Sequence, residues 1–200
     1  MFIGMLLTLG LNQISGFLPL ISGTANRFVV LGCDEVGLIS ELDTNKYFGG
    51  CLTVCSGKED ISDGPCSGLG CCETLIPEGM QTYWSSVLSL HNHTTVWSFN
   101  KCGYSFLAEE DRFTFRGVRD LIDESFRNTT VNNVPLVLEW GIVNGTCEHA
   151  FGKEDLAKYV CQGNTSCSNL DTGVGGYLCT CLPGYEGNPY LVPGCTGKYF

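Results

Sequence analysis

The sequence predicts a mainly β, disulfide-rich fold: a small β domain with one short helix, followed by a compact cysteine-stapled module. Three observations lead there. Thirteen cysteines stand in 200 residues, a density that belongs to oxidising compartments where bridges persist. Residues 27 to 142 hold many short runs rich in β-branched and aromatic residues, separated by polar turn-formers. From Cys147 onward the texture changes to few aliphatics, many glycines and six of the cysteines. With 44% hydrophobic and 16% charged residues, the chain can bury a core and is not a disordered tail.

The elements follow in order. Residues 1–16 form an apolar N-terminal segment in which "MFIGMLLTLGL" has the length of a signal h-region, yet no basic residues precede it and "NQ" interrupts it. It reads as a weak signal peptide or a truncated start. A small-x-small site at Gly23-Thr24-Ala25 follows, but residues 17 to 25 read equally as a first strand. No stretch reaches about 18 unbroken apolar residues, so no transmembrane helix is predicted. "RFVVLG", "TYWSSVLSL", "TTVWSF", "YSFL", "RFTF" and "VPLVLEW" read as strands, and "SGKEDISDGPCSGLG" as a connecting loop. "GVRDLIDESFR" places Val118, Leu121, Ile122 and Phe126 at helical spacing and predicts the short helix. The β domain is assigned to 17–143 and the module to 144–200. About fifty residues of that composition bury too little apolar surface to fold without staples.

Sequons at Asn92, Asn128, Asn144 and Asn164 add an independent sign of an extracellular glycoprotein. Eleven basic against 21 acidic residues exclude nucleic acid as a partner, because phosphate backbones need a cationic face. The same balance gives no help toward an anionic membrane or polysaccharide. Zinc is not expected: Cys71-Cys72 and Cys179-x-Cys181 lack the usual C-x₂₋₄-C pairs. His91 and His93, one residue apart, read as solvent-facing on one side of a strand.

The last six cysteines leave 13, 5, 11, 1 and 13 residues between neighbours. Spacing alone allows fifteen connectivities. The order, with its C-x-C step and following "LPGY", resembles an EGF-like module. That resemblance implies the pairs Cys147–Cys167, Cys161–Cys179 and Cys181–Cys195. Gly184 and Tyr185 match the family's glycine-aromatic step, implying a tight turn with a ring over a disulfide. Calcium is not expected there, since Asn144 is the one candidate ligand before the first cysteine and carries a sequon. Asn169 matches the second half of the calcium pattern, but Tyr177 lies too far beyond it.

A second resemblance spans residues 17 to 195. "NRFVVLGCD", "CLTVCSG", "GLGCCETLIP", "KCGYSFLAEEDRFTF" and "VPLVLEWGIVNGTCE" stand in the order found in the ectodomains of plant wall-associated receptor kinases, with "CTCLPGYEGNPYLVPGC" resembling their first EGF-like repeat. The resemblance implies an ectodomain at the plasma membrane or cell wall that binds pectin, as acidic oligogalacturonides. Family members carry a longer upstream galacturonan-binding region, and downstream a second EGF repeat, a transmembrane helix and a serine/threonine kinase. The chain is therefore expected to be a truncated, non-catalytic piece, reaching a membrane only through a downstream helix. Seven cysteines (Cys33, Cys51, Cys55, Cys66, Cys71, Cys72 and Cys102) remain outside the module, so one is expected to have its partner upstream. Which one is left open.

Capturing a polyanion needs Arg or Lys forks, or bridging calcium. The densest basic stretch offers Arg112, Arg116, Arg119 and Arg127 among Asp111, Asp120, Asp123 and Glu124, which favours an ion-paired helix face over a sugar groove. Arg112, Arg116 and Arg119 are the polysaccharide candidates. Trp84, Trp97 and Trp140 are assigned to the core, as expected for strand residues. No G-x-S-x-G, kinase glycine loop or H-E-x-x-H is present, and no enzyme is expected. The alternative function is a secreted protein-interaction module, acting through its EGF-like part without sugar binding.

Overall fold

A computed structural model describes residues 5–8, 17–40, 47–142, 145–148, 160–170 and 175–197. It is mainly β, and its residues divide into two units. One holds Ile21–Leu138 together with the first strand; the other holds Glu139–Phe200 together with residues 17–20.

The strands of the first unit are β1 (Met5–Thr8), β3 (Asn26–Leu31), β4 (Asp34–Ser40), β5 (Tyr47–Val54), β6 (Cys71–Leu75), β7 (Thr82–Ser89) and β8 (Tyr104–Glu109), with β2 (Phe17–Ile21) running into it from the second. They make two antiparallel sheets, ordered β1-β7-β4-β5 and β6-β3-β8. The continuous apolar run of β3 is explained by its burial on both faces. Phe28 and Val30 share one core with Ile39 of β4, Tyr83 of β7 and Leu107 of β8. Val29 and Leu31 face the opposite core with Phe106, beneath a layer of non-strand chain that contributes Val96, Phe99, Phe115, Leu121, Phe126 and Val131. A strand covered on both sides loses the polar alternation of a half-exposed one. Gly37 lets β4 approach β3, since a Cβ there would collide with the Val30 side chain. Asn26 closes the base of the unit: its Nδ2 donates to the carbonyls of Ser22 and Val137, and its Oδ1 accepts from Val137 N–H.

Several expectations require correction. "TTVWSF" is not a strand; residues 92–99 form consecutive turns in which Val96 and Phe99 point into the core and Trp97 stands 59% exposed. "RFTF" is not a strand either, and only Phe115 makes an isolated bridge, to Gly64. The helix is a single turn, α1 (Val118–Ile122); Ile122 is exposed and Phe126 belongs to the turn that follows. Trp140 is also partly exposed at 39%. Met5–Thr8, within the apolar N-terminal segment, pairs with β7 in register Met5↔Ser85 to Thr8↔Thr82.

The second unit contains β9 (Leu138–Ile142), β10 (Thr165–Asn169), β11 (Tyr177–Cys181), β12 (Tyr185–Gly187) and β13 (Cys195–Gly197). Its larger sheet is ordered β10-β11-β9-β2, and β12 and β13 form a hairpin-like pair. Its small core gathers Ile142, Cys161, Tyr177 and Cys179, with Phe17 and Tyr190 against them. The ring that anchors this core is Tyr190 rather than Tyr185, which is 38% exposed. The Tyr190 hydroxyl accepts from Cys179 N–H and donates to the Trp140 carbonyl, and its ring meets Phe17 edge-on. Among the described residues, no helix is long and apolar enough to cross a membrane.

So thin a core leaves the second unit dependent on its bridges. Cys181→Ser opens the Cys181–Cys195 link and is expected to cost about 2–5 kcal/mol. Limited proteolysis checks this: the variant should be cleaved rapidly after Cys161 while the first unit persists, and equal resistance to the parent would contradict it.

Candidate functional site

All thirteen cysteines lie among the described residues, and twelve are paired. In the first unit the structure joins Cys33–Cys55, Cys51–Cys72 and Cys66–Cys71; in the second, Cys147–Cys167, Cys161–Cys179 and Cys181–Cys195. Cys102 is the free thiol, half-buried beside Tyr104. Asn92 and Asn164 are exposed on turns, and Asn128 is exposed in the single π-helical turn Arg127–Val131. The Asn164 amide already donates to the Cys195 carbonyl, so a glycan there must share that nitrogen. Asn144 lies outside the described residues. The Asn169 side-chain oxygen accepts from Cys147 N–H at 2.7 Å and is committed to the backbone. No group of three or more metal-ligating side chains gathers among the described residues.

The three candidate arginines separate. Arg112 and Arg116 line one groove of about 420 Å³, with Thr114, Thr129 and Thr130 along its walls and Phe113 and Phe126 at its base. The base is rigid because Phe113 packs edge-on to both Phe126 and Phe106. Arg116 is held in place by Asp120, whose carboxylate is 1% exposed and accepts from Arg116 N–H and Nε–H at 2.8 Å each. That hydrogen-bonded carboxylate, which also meets Nη2 at 2.7 Å, raises the arginine's pKa, and the Arg116 side chain is 53% exposed. Arg112 lies 3.5 Å from Glu109 and is 67% exposed. Arg119 instead pairs with Asp63 at 2.7 Å and does not line the groove. Asp123 also borders it, kept ionised because the Ser125 hydroxyl and N–H donate to it and lower its pKa. The expected ion pairing thus holds for all three arginines: Arg116 pairs with Asp120 at the i,i+4 spacing, and Arg112 and Arg119 pair off the helix, with Glu109 and Asp63.

The reading of the histidines is corrected in part: both lie on the turns after β7 rather than on a strand, and only His91 faces solvent. His93 is buried and its Nε2 meets the buried Glu35 carboxylate; exposed His91 places Nδ1 2.8 Å from Asp34. Asp34 also accepts from Ser89 Oγ–H and from the His91 and His93 backbone N–H groups. These bonds brace the turns after β7, where Asn100 adds a further tie to Cys33 N–H. The sequence signal that could have revealed the brace is the adjacent acid pair Asp34-Glu35 opposite His-x-His.

The chain thus holds two cysteine-stapled β units and, in the first, a groove lined by two arginines. It is 41% identical over 170 residues to wall-associated receptor kinase 2 of Arabidopsis thaliana, and 36% identical to wall-associated receptor kinases 3 and 5 of the same plant, in each case over 85% of this chain. The chain is homologous to the ectodomain region of the wall-associated receptor kinases. It spans only about 22% of the length of those relatives. This kinship implies an extracellular or cell-wall location for the wall-associated-kinase-like chain. No family profile matches it, and no solved structure resembles it at a significant level.

The brace yields a pH prediction. Burial alone would raise the Asp34 pKa, but its donors from Ser89, His93 and His91 outweigh that and hold it at about 2. A depressed folded pKa contributes stability above the unfolded value and loses it as pH falls toward the folded one. Glu35 works in the opposite sense, since burial raises its pKa despite His93. Asp34 should therefore account for a loss on the order of 2 kcal/mol between about pH 5 and pH 2. Urea midpoints across that window should fall more steeply for the parent than for Asp34→Asn, and parallel slopes would contradict the assignment.

Proposed function

We propose that this wall-associated-kinase-like chain is the ligand-binding part of a cell-wall receptor ectodomain, and that its ligand is an acidic pectic galacturonan. The observation that carries the reading is the groove holding Arg112 and Arg116. Guanidinium forks match carboxylates in a bidentate geometry, Asp120 pre-orients one of them, and the threonine hydroxyls supply the neutral donors a sugar ring needs. The wall location of its kin supplies the substrate class. The chain performs no chemistry in this reading; it binds, and any signalling would reside in a kinase elsewhere. A second reading has its own support: Leu182, Tyr185, Leu191 and Val192 of the cysteine-rich C-terminal unit, EGF-like in its spacing, are 38–83% exposed, a surface suited to a protein partner.

Binding to de-esterified and to fully methyl-esterified oligogalacturonides, each with and without calcium, tests the proposal. The de-esterified ligand should bind, weaken as salt is raised, and lose about fivefold to thirtyfold in affinity with Arg112→Ala or Arg116→Ala. Arg119→Ala should change little. Absence of binding in both calcium conditions would sink the reading and leave the protein-interaction one.

A further inference from the structure

We infer that Asn128 is a modification site whose N-linked glycan lies over the groove of Arg112 and Arg116 and limits access to it. The inference rests on the galacturonan reading for the identity of the ligand alone; the covering of the groove stands on its own geometry. Asn128-Thr129-Thr130 is the sequon, and both of its threonines line the groove wall. The acceptor pattern needs a hydroxyl residue at position 130, so the residue that licenses the glycan is also part of that wall. Asn128 is exposed on the π-helical turn, its Cα about 3.8 Å from that of Thr129. The root of the glycan is held in place. Phe126, at the base of the groove, packs on Tyr104 and Phe113, and the N–H groups of Asn128 and Thr129 donate to the Ser125 carbonyl at 2.8 and 3.0 Å. Asn128 Oδ1 accepts from Asn132 Nδ2 at 3.4 Å, which leaves its own Nδ2, the atom that carries a glycan, with no partner among the described residues. The Asn164 amide, by contrast, is already committed to the Cys195 carbonyl.

The chemistry of the groove gives such a glycan something to hold. Guanidinium groups and threonine hydroxyls that suit a sugar ligand suit the hydroxyls of a tethered sugar as well. Tethering raises its effective concentration, so weak contacts suffice to keep a bulky glycan over the groove. A neutral glycan offers no carboxylate, however, and an acidic ligand that pairs bidentately with arginine displaces it. The apparent Kd of that ligand is its intrinsic Kd divided by the fraction of grooves standing open. A groove open for about a tenth to a third of the time binds about threefold to tenfold more weakly than the bare one. Arg119, paired with Asp63 away from the groove, should not sense the glycan.

The test compares the chain secreted by a glycosylating host with two variants. Asn128→Gln replaces an exposed residue. Asn92→Asp removes a different sequon and keeps a residue that tolerates the left-handed φ of 56° there. Mass spectrometry reads glycan occupancy at Asn128, and labelling by a phenylglyoxal tethered to a sugar-sized dye reads arginine access without any galacturonan. Arg112 and Arg116 should react about threefold faster or more in Asn128→Gln, with Arg119 unchanged, and Asn92→Asp should match the parent. De-esterified oligogalacturonide should bind Asn128→Gln about threefold to tenfold more tightly than the parent. An unglycosylated Asn128 overturns the inference. So does equal labelling of Arg112 and Arg116 in both chains, acceleration that extends to Arg119, or equal affinity for a ligand that both chains bind. Faster labelling of the two groove arginines with no galacturonan bound by either chain supports the covered groove and sinks the galacturonan reading instead.

Discussion

The first unit is organised by the requirement that β3 be covered on both faces. "RFVVL" offers apolar side chains at every position from Phe28 to Leu31, and all four are at most 1% exposed. One cover is the four-stranded sheet; the other is an irregular layer running from the turns after β7 to Val131. Irregular chain packs poorly by itself, because its backbone groups lack a regular ladder. This explains why that layer is pinned so heavily. Asp34 and Glu35 hold one end through His91 and His93, Asp120 holds Arg116 at the start of α1, and the aromatic cluster of Phe106, Phe113 and Phe126 fills the interior. The candidate groove exists because this layer is loop, fixed in place, rather than sheet.

The disulfides complete the same constraint. Cys51–Cys72 ties β5 to β6 across the two sheets, and Cys33–Cys55 with Cys66–Cys71 fastens the long connection between them. That connection contains one short 3₁₀ turn, Lys58–Asp60, with no buried residue in the turn; Cys55, Ile61 and Cys66 pack it against the core, so the bridges anchor much of what little it buries. In the second unit the core is smaller still, and the phenol of Tyr190 joins the sheet to the C-terminal loop through two hydrogen bonds.

What the sequence made legible follows from range. β3, β7 and β8 announce themselves through local composition, and the β, cysteine-rich class through counting. β4 and β5 are hidden because Gly37, Gly49 and Gly50 dilute the apolar signal; the need for Gly37 becomes visible only when Val30 lies opposite. "TTVWSF" has strand composition, but a turn can also bury Val96 and Phe99 while leaving Trp97 outside, at a helical rather than an alternating period. The groove shows the same limit. Arg112, Arg116 and Arg119 are equivalent in the sequence, and what separates them is Asp63, 56 residues from Arg119. Long-range partners such as Glu35 and His93, 58 residues apart, leave no local trace.

Layer order bears on how an acidic chain could hold an acidic polymer. Phe106 faces the groove-bearing layer, whereas its neighbour Leu107 faces the four-stranded sheet. The groove and the outer face of the four-stranded sheet therefore lie on opposite sides of the central sheet. The groove sets two arginines against nearby carboxylates, so a single ligand carboxylate would gain little there. A polymer would present many equivalent carboxylates to the same two guanidinium groups, each able to rebind in place of the one that leaves. The chain's excess of acidic residues would repel the polymer elsewhere on the surface and confine such a contact to the groove.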